Sequence, residues 1–162
     1  MRVLVTGATG YVGSRVAERL ARRGEEVIGQ VRSPERAAAL PAGVTPVVLD
    51  FDQPAAWGDA ADGVEAVIHT AFASHDADWG RAVELERAVI AALVGSLAGT
   101  GRTLVVSNGT AFLGDSGTGR LTESAPVVED HPASARAAAT AQVRGTTATG
   151  MRAIELRLAS FV

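Results

Sequence analysis

Three glycines near the start of the chain are spaced so that they could bind a phosphate group. The segment TGATGYVG places Gly7, Gly10 and Gly13 between the apolar run RVLV and an amphipathic stretch. In a turn between a strand and a helix, the first glycine allows a tight turn, the second lets the backbone approach a pyrophosphate, and the third allows close helix packing. The N–H groups of a helix N-terminus attract the anion. The pattern predicts a dinucleotide pocket, with a glycine-rich turn that holds no ligand as the alternative.

The residues about 20 positions further on indicate which dinucleotide would bind. A carboxylate there accepts hydrogen bonds from the ribose 2′-hydroxyl of NAD, whereas an arginine suits the 2′-phosphate of NADP. The segment VIGQVRSPER contains Gln30, Arg32, Ser33 and Arg36 and has no carboxylate before Glu35. We therefore predict NADP as the cofactor, with NAD possible. The alternative is that Arg32 is only a solvated loop residue.

A scaffold that gathers the ends of several strands is needed to position these residues. Short β-branched runs alternate with longer helical stretches, which predicts a doubly wound α/β fold of the Rossmann type with a parallel six-stranded sheet. The predicted strands are residues 2–6, 26–31, 45–49, 66–70, 103–107 and 153–158. The predicted helices are one that follows Gly10 and ends at Gly24, one over residues 78–98 and one over residues 134–147.

Length and composition limit the classes of function. A chain of 162 residues fits one domain, and a net charge of -3 does not favour binding to nucleic acid or to an anionic membrane surface. There is no cysteine, which excludes disulfides and thiolate metal sites. No targeting segment and no apolar run of about 20 residues is visible. A cytoplasmic location and a small-molecule substrate are therefore expected.

Several segments resemble a known family. VTGATGYVGS is similar to the start of an extended or atypical short-chain dehydrogenase/reductase of the NAD-dependent epimerase/dehydratase type, which reads T-G-x-x-G-[FY]-[IV]-G. The segments VVLDFDQ, VIHTAF, LVVSNGTAFLG and ELRLASFV extend the resemblance over essentially the whole chain. Members of that family continue beyond the sixth strand into a substrate-binding lobe. Residues 1–162 are therefore expected to form the dinucleotide-binding domain, with the substrate lobe largely absent.

The resemblance implies further cofactor contacts. Asp50 and Phe51 would lie beside the adenine, with Asp50 accepting from the exocyclic amine, unless Asp50 only caps the following turn. The segment HTAF in the fourth strand stands where the backbone of the family passes the pyrophosphate and the ribose, with Ala71 and Phe72 flanking the cofactor. The complete predicted cofactor site is Gly7, Thr9, Gly10, Tyr11, Val12, Gly13, Arg32, Ser33, Asp50, Phe51, Thr70, Ala71 and Phe72.

The catalytic residues are where this chain departs from the family. Hydride transfer in that family relies on a Tyr-x-x-x-Lys pair on the helix before the sixth strand, where the lysine lowers the pKa of the tyrosine. The single tyrosine here is Tyr11, in the glycine turn, and there is no lysine. Matching ASARAAATAQ to that helix puts Arg136 near the tyrosine position and Thr140 near the lysine position. An arginine can anchor an anion but does not exchange protons near neutral pH.

Hydroxyl and amide side chains at the end of the fifth strand are the remaining catalytic candidates. The family places a serine or threonine there against the substrate carbonyl, which makes Ser107, Asn108 and Thr110 the candidates and Thr110 the predicted substrate contact. A turn in which Asn-Gly satisfies its own backbone is the alternative. The predicted function is an NAD(P)-binding oxidoreductase or epimerase-like protein that transfers hydride to a small carbonyl or sugar-like substrate. A non-catalytic NADP-binding sensor or scaffold module, or a remnant without a substrate lobe, is the alternative.

Two further expectations concern histidines and assembly. His69 ends an apolar strand and is expected to be a core residue rather than an acid or base. His75, Asp76 and Asp78 could suggest a metal site, but polar residues in a loop before a helix are more often caps, so no metal site is predicted. The family resemblance suggests a homodimer through the two long helices, residues 78–98 and 134–147.

Overall fold

The computed structural model describes residues 1–73, 78–115, 117–131 and 133–159. At its centre lies a parallel six-stranded sheet in the order β3-β2-β1-β4-β5-β6. The strands are β1 Arg2–Thr6, β2 Glu26–Val31, β3 Val44–Val48, β4 Ala66–His69, β5 Thr103–Gly109 and β6 Arg152–Leu158. The doubly wound fold is therefore confirmed. The direction of winding reverses between β1 and β4, and the crevice at such a reversal is where doubly wound sheets bind ligands.

Helices cover both faces of the sheet. They are α1 Tyr11–Arg22, α2 Pro54–Ala60, α3 Trp79–Leu97 and α4 Ser134–Ala141, and short 3₁₀ turns cover Pro34–Ala39, Ala111–Leu113 and Arg144–Thr149. Within β1, Val3 and Val5 pack with Ala17 of α1, whereas Leu4 packs on the opposite face with Trp57 and Leu93. This alternation follows from the pleat, which points successive side chains to opposite faces.

The two longest helices begin and end where the sequence supplies the appropriate groups. No side chain caps the N-terminus of α1 at Gly10, so its first N–H groups are left for other acceptors. After α1, Gly24 has a φ of 80°, a left-handed conformation that glycine adopts without steric cost. The N-cap of α3 is Asp78, whose side chain accepts a hydrogen bond from Arg81 N–H.

The main difference from the predicted elements is the third long helix. The predicted segment over residues 134–147 divides into α4 and the 3₁₀ turn Arg144–Thr149. The Thr146 hydroxyl donates to Val143 O at 2.6 Å, and Thr149 makes the same bond to Thr146 O. Such local side-chain bonds compete with regular helix. The other differences are small: β3 begins and ends one residue earlier than predicted, β4 ends at His69, β5 continues to Gly109, and β6 begins at Arg152.

Two findings apply only to the described ranges. Within them, no helix is both long and apolar enough to cross a membrane. The same part of the chain has no group of three or more His, Cys, Asp or Glu side chains that could hold a metal ion. Of the residues considered for a metal site, His75 and Asp76 lie outside the described ranges.

Candidate functional site

Two of the three glycines of the turn after β1, Gly7 and Gly13, are required by close packing. Gly7 has a φ of 64°, and a Cβ there would lie 2.9 Å from the backbone nitrogen of Ala71. A Cβ on Gly13 would lie 2.2 Å from the carbonyl oxygen of Gly7, which is closer than any side chain could approach. Gly10 is exposed, and its added Cβ would meet only Gly7 O at 3.2 Å. The turn therefore presents open backbone at Gly10, next to the uncapped N-terminus of α1, and this arrangement fits a pyrophosphate.

Gln30 holds this turn from the end of β2. Its side-chain oxygen accepts from Gly7 N–H at 2.8 Å, and its side-chain nitrogen donates to Leu49 O at 2.9 Å. Only 4% of the residue is exposed, so both bonds are shielded from water. Gln30 was expected near the cofactor from its position in the sequence, but its role could not be predicted. The signal for its role is a single amide near the end of the strand EVIGQV, among apolar residues.

Thr6 joins the ends of β1 and β4. Its hydroxyl oxygen lies 3.1 Å from Thr70 N and 3.2 Å from Ala71 N and accepts from both N–H groups. The one hydroxyl proton is then available for His69 Nδ1, 2.9 Å away. His69 is therefore the tautomer with its proton on Nε2. The Thr70 hydroxyl returns a bond to Thr6 O at 2.6 Å, so the two strand ends are fixed to each other.

A cleft of about 310 Å³ runs along this edge of the sheet. It extends from Arg32 and Arg36, after β2, across the glycine turn to Phe72, after β4. The structure brings together eight of the predicted cofactor residues as its lining: Gly7, Thr9, Gly10, Arg32, Phe51, Thr70, Ala71 and Phe72. It adds three residues that the predicted site did not include, Gln30, Val31 and Arg36.

The remaining predicted cofactor residues lie around the cleft rather than in its lining. Tyr11 and Val12 are exposed in the first turn of α1, and Gly13 is buried beneath the turn. Ser33 precedes the 3₁₀ turn Pro34–Ala39. Asp50 is exposed and its carboxylate accepts from Asp52 N–H at 3.1 Å, which is the capping role given above as the alternative.

An ion pair occupies the place that the family resemblance assigns to the tyrosine. Arg136 of α4 makes a bidentate pair with Glu86 of α3: Nε lies 2.9 Å from Oε2 and Nη2 lies 2.9 Å from Oε1. Weaker bonds of 3.3 Å run from Nη1 to Asn108 Oδ1 and from Nη2 to Ser107 O, at the end of β5. The Arg136 guanidinium carbon also lies 4.4 Å from the ring centroid of Phe72. A cation is therefore fixed beside the β4 end of the cleft.

The polar network continues through the position that corresponds to the lysine. The Asn108 amide donates to the Thr140 hydroxyl oxygen at 2.8 Å, and that hydroxyl lies 2.9 Å from Glu155 Oε1, to which it donates. Glu155 Oε2 lies 3.2 Å from Nε of Arg144 and 3.8 Å from Nε of Arg157. Thr140 is fully buried. These contacts give Thr140 a structural role that links α4, β5 and β6.

Burial sets the protonation of the two titratable groups behind this ion pair. Burial, with a smaller contribution from the Arg136 cation, lowers the pKa of His69 to about 3, so its ring is neutral at neutral pH. His69 Nε2 lies 3.9 Å from Glu86 Oε1 and has no hydrogen-bond partner within the described residues. Burial raises the pKa of Glu86, and the bonds from Arg136 oppose that rise. His69 is thus the core residue that its strand position predicts.

Of the three predicted catalytic residues, Thr110 lines an open cavity, whereas Ser107 and Asn108 are buried. The Ser107 hydroxyl donates to His69 O at 3.2 Å, and both ends of the Asn108 amide are engaged, its oxygen also accepting from Gly109 N–H at 2.9 Å. Thr110 lines a second cavity of about 520 Å³. Its other lining residues combine apolar and charged side chains: Leu113, Leu121, Thr122, Glu123, Arg144, Glu155, Leu156, Arg157 and Ala159.

Comparison with known proteins agrees with this geometry. Residues 7–154 match the family described as NAD(P)H-binding. An uncharacterized protein of Schizosaccharomyces pombe is 38% identical over 118 residues, which are 72% of this chain and 40% of that protein. The ketoreductase adrE of Penicillium roqueforti is 41% identical over 78 residues, which are 43% of this chain and 23% of the ketoreductase. The chain spans about two fifths of the length of the first curated relatives.

A solved structure shows the same architecture. A short-chain dehydrogenase/reductase superfamily protein from Agrobacterium tumefaciens, crystallised with bound NAD, superposes with a TM-score of 0.77 at 27% identity, over 97% of this chain and 48% of that one. The sheet described above therefore has the same fold as that protein. The chain is therefore a member of the NAD(P)H-binding family and has the fold of the short-chain dehydrogenases/reductases and NAD-dependent epimerases/dehydratases.

Proposed function

We propose that the cofactor of this domain, residues 1–162, is NADP. The supporting observation is the pair of arginines, Arg32 and Arg36, in the cleft lining after β2, and none of the described residues that line the cleft is a carboxylate. A 2′-phosphate is a multiply charged anion that guanidinium groups bind through charge-assisted hydrogen bonds. Gln30, the polar side chain closest to this position within β2, already bonds Gly7 N–H and Leu49 O. Both ends of its amide are therefore engaged by backbone groups of the protein.

Calorimetric titration with NADPH and NADH tests this proposal. Changing Arg32→Gln or Arg36→Gln removes one charge-assisted contact, which is expected to weaken NADPH binding by about tenfold or more and NADH binding by less than about twofold. Arg23→Gln is the matched control, because Arg23 is an exposed arginine at the far end of α1. Tighter binding of NADH than of NADPH, or an equal loss for both cofactors, would contradict the proposal.

We further propose an oxidoreductase activity of the ketoreductase kind, in which hydride passes between the nicotinamide and a small carbonyl or sugar-like substrate. It is supported by Thr110, whose position in the lining of the second cavity leaves it facing open space at the end of β5. The similarity to the ketoreductase adrE points the same way. In this role the Thr110 hydroxyl donates a hydrogen bond to the substrate oxygen, and the bound nicotinamide supplies the hydride.

Oxidation of NADPH in the presence of a panel of small carbonyls tests this activity. Thr110→Val is expected to lower kcat/KM by about a hundredfold, the scale of losing one hydrogen-bond donor to a developing oxyanion, while Thr110→Ser retains most of it. Thr122→Val is the control, because Thr122 lines the same cavity as an exposed residue. Equal rates for Thr110→Val and the unaltered protein would remove Thr110 from the reaction.

A second candidate, a non-catalytic NADP-binding sensor or scaffold module, is supported by the ion pair of Arg136. The position assigned to the tyrosine holds a guanidinium bound to Glu86, and the position assigned to the lysine holds the buried Thr140. Neither group exchanges protons near neutral pH. Tight NADPH binding with no oxidation by any carbonyl would favour this candidate over the oxidoreductase.

We also propose that two copies associate through α3 and α4. These helices pack against each other, and outward positions such as Ala91 and Ala138 carry small side chains that allow close approach. Light scattering of the unaltered protein is expected to give the mass of a dimer, and Ala91→Arg is expected to shift it towards the monomer. A monomer mass for the unaltered protein at micromolar concentration would contradict this assembly.

A further inference from the structure

The Arg136 cation is placed at one particular end of the cofactor cleft. The arginines proposed for the 2′-phosphate follow β2, so the adenosine half of the dinucleotide belongs on that side of the glycine turn. Because the dinucleotide crosses the crevice where the winding reverses, its nicotinamide half belongs over β4 and β5. Arg136 contacts the ends of both strands, through Phe72 after β4 and through Ser107 O and Asn108 in β5.

The ion pair has a direction relative to the cleft. The Arg136 side chain is 17% exposed and covers Phe72, which lines the cleft, whereas the Glu86 side chain is 0% exposed on α3. The Arg136 guanidinium therefore lies on the nicotinamide side of the pair, and the Glu86 carboxylate lies farther from the cleft. His69, whose Nε2 lies 3.9 Å from Glu86 Oε1, is neutral at neutral pH and does not offset the cation, and the Glu155 carboxylate is paired with Arg144 and Arg157.

The two redox states of a nicotinamide differ by one charge at the ring. The oxidised ring is a cation and the reduced ring is neutral, so a fixed positive charge nearby disfavours only the oxidised form. We propose that Arg136 makes this site select the reduced cofactor, NADPH, over NADP⁺. This inference rests on the proposed binding of NADP and adds to it a preference for one redox state. Phe72 separates the guanidinium from the cleft without removing its field, because an aromatic ring carries no net charge.

Coulomb's law gives the size of the effect. Two unit charges about 10 Å apart at an effective dielectric constant of about 20 change an affinity on the order of tenfold. The Glu86 carboxylate lies on the far side of Arg136 and opposes part of this field. The expected contribution of the intact pair to the NADPH preference is therefore about threefold, rising to about tenfold when the carboxylate loses its charge.

The test compares the ratio of Kd for NADP⁺ to Kd for NADPH in variants that change the two charges separately. Glu86→Gln keeps the side-chain shape and one oxygen that can accept from Arg136, and it removes the opposing charge, so the ratio is expected to rise about threefold. The double variant Glu86→Gln with Arg136→Gln removes both charges, so the ratio is expected to fall about threefold below that of the unaltered protein. A purely structural role would not move the ratio in opposite directions.

Two controls locate the effect at the nicotinamide. Arg87→Gln removes an exposed arginine next to Glu86 on α3 and is expected to leave the ratio unchanged. The probe 2′,5′-ADP carries the 2′-phosphate but no nicotinamide, so its Kd is expected to be the same in the unaltered protein and in Glu86→Gln. Calorimetry with all three ligands, after circular dichroism has shown that each variant is folded, gives these values.

The outcomes separate this inference from the proposal on which it rests. If the unaltered protein binds neither NADPH nor NADP⁺, the proposed cofactor itself is wrong, and the inference fails with it. If both bind but Glu86→Gln leaves the ratio unchanged or lowers it, only the charge selection by Arg136 is overturned. Should the double variant fail to fold, Glu86→Gln alone decides, since it retains Arg136 and its remaining bonds.

Discussion

The buried side chain of His69 is expected to make this fold sensitive to acid. Its pKa is lowered from 6.5 to about 3 by burial and by the Arg136 cation. The unfolded chain therefore takes up a proton as the pH falls below about 6.5, while the folded chain does not. Binding of protons to the unfolded state alone stabilises that state. The free energy of unfolding consequently falls with decreasing pH over the window from about 6.5 to about 3.

The size of this loss follows from the shift. Each pH unit within the window removes about 1.4 kcal/mol, so the loss is about 2 kcal/mol at pH 5 and on the order of 5 kcal/mol once the window has been crossed. Glu86 acts in the opposite direction, because burial raises its pKa and the folded state then gains a proton at higher pH than the unfolded state does. A comparison with a variant at position 69 cancels the contribution of Glu86.

Urea unfolding of the unaltered protein and of His69→Asn at pH 7 and pH 5 measures the effect. Asparagine keeps an acceptor for the Thr6 hydroxyl but does not titrate. Fluorescence of the buried Trp57, whose ring centroid lies 6.0 Å from that of His69, reports the transition. The unaltered protein is expected to lose about 2 kcal/mol more than His69→Asn between the two pH values. The control His131→Asn changes an exposed histidine and is expected to behave like the unaltered protein.

Equal pH dependence in His69→Asn and the unaltered protein would refute this reasoning, because it would mean that His69 takes up its proton as readily in the folded state as in the unfolded state. If His69→Asn does not fold at pH 7, His69→Gln provides a second non-titrating side chain, and the same comparison applies to it.

Three further predictions concern stability and binding. Gln30→Leu leaves Gly7 N–H without its acceptor, so it is expected to lower the free energy of unfolding by about 1–3 kcal/mol and to weaken NADPH binding. The control Gln142→Leu removes a single long bond at the surface and is expected to lower it by less than about 0.5 kcal/mol. Urea titration measures both values. Gly13→Ala is expected to lower the melting temperature by more than 10 °C or to prevent folding, since its Cβ has no space beside Gly7 O. Glu86→Ala alone is expected to lower the free energy of unfolding by about 3–5 kcal/mol, because it leaves the charge of Arg136 without its partner. The double variant Glu86→Met with Arg136→Met is expected to lower it by less.

The first half of the fold could be predicted closely because its signals are local. The apolar run, the three glycines and the amphipathic helix that ends at Gly24 lie within one short segment of sequence. Apolar periodicity was sufficient to find all six strands to within about two residues at each end. The third long helix was predicted too long, because the threonines near its end bond to nearby carbonyl groups, and hydrophobic periodicity does not register such bonds.

The polar part of the site depends on contacts between distant residues, which a single sequence does not show. Glu86 occupies a position on the apolar side of α3, and its burial is compensated by Arg136, fifty residues later. Gln30 gains its role only when β1, β2 and β3 lie side by side. Arg136 could be placed near the tyrosine position from the family resemblance, but its partner could not.

The bonds around the glycine turn have a consequence for the thermodynamics of ligand binding. Gly7 is held by Gln30 and packs on Ala71, while Thr6 holds the backbone of Thr70 and Ala71. The floor of the cleft is therefore rigid before any ligand arrives, and little backbone entropy remains to be lost there. The side chains that must become ordered are chiefly exposed ones such as Arg32, at about 0.5–1.5 kcal/mol each. Because the turn is already ordered, most of the interaction energy of a bound dinucleotide contributes to its affinity.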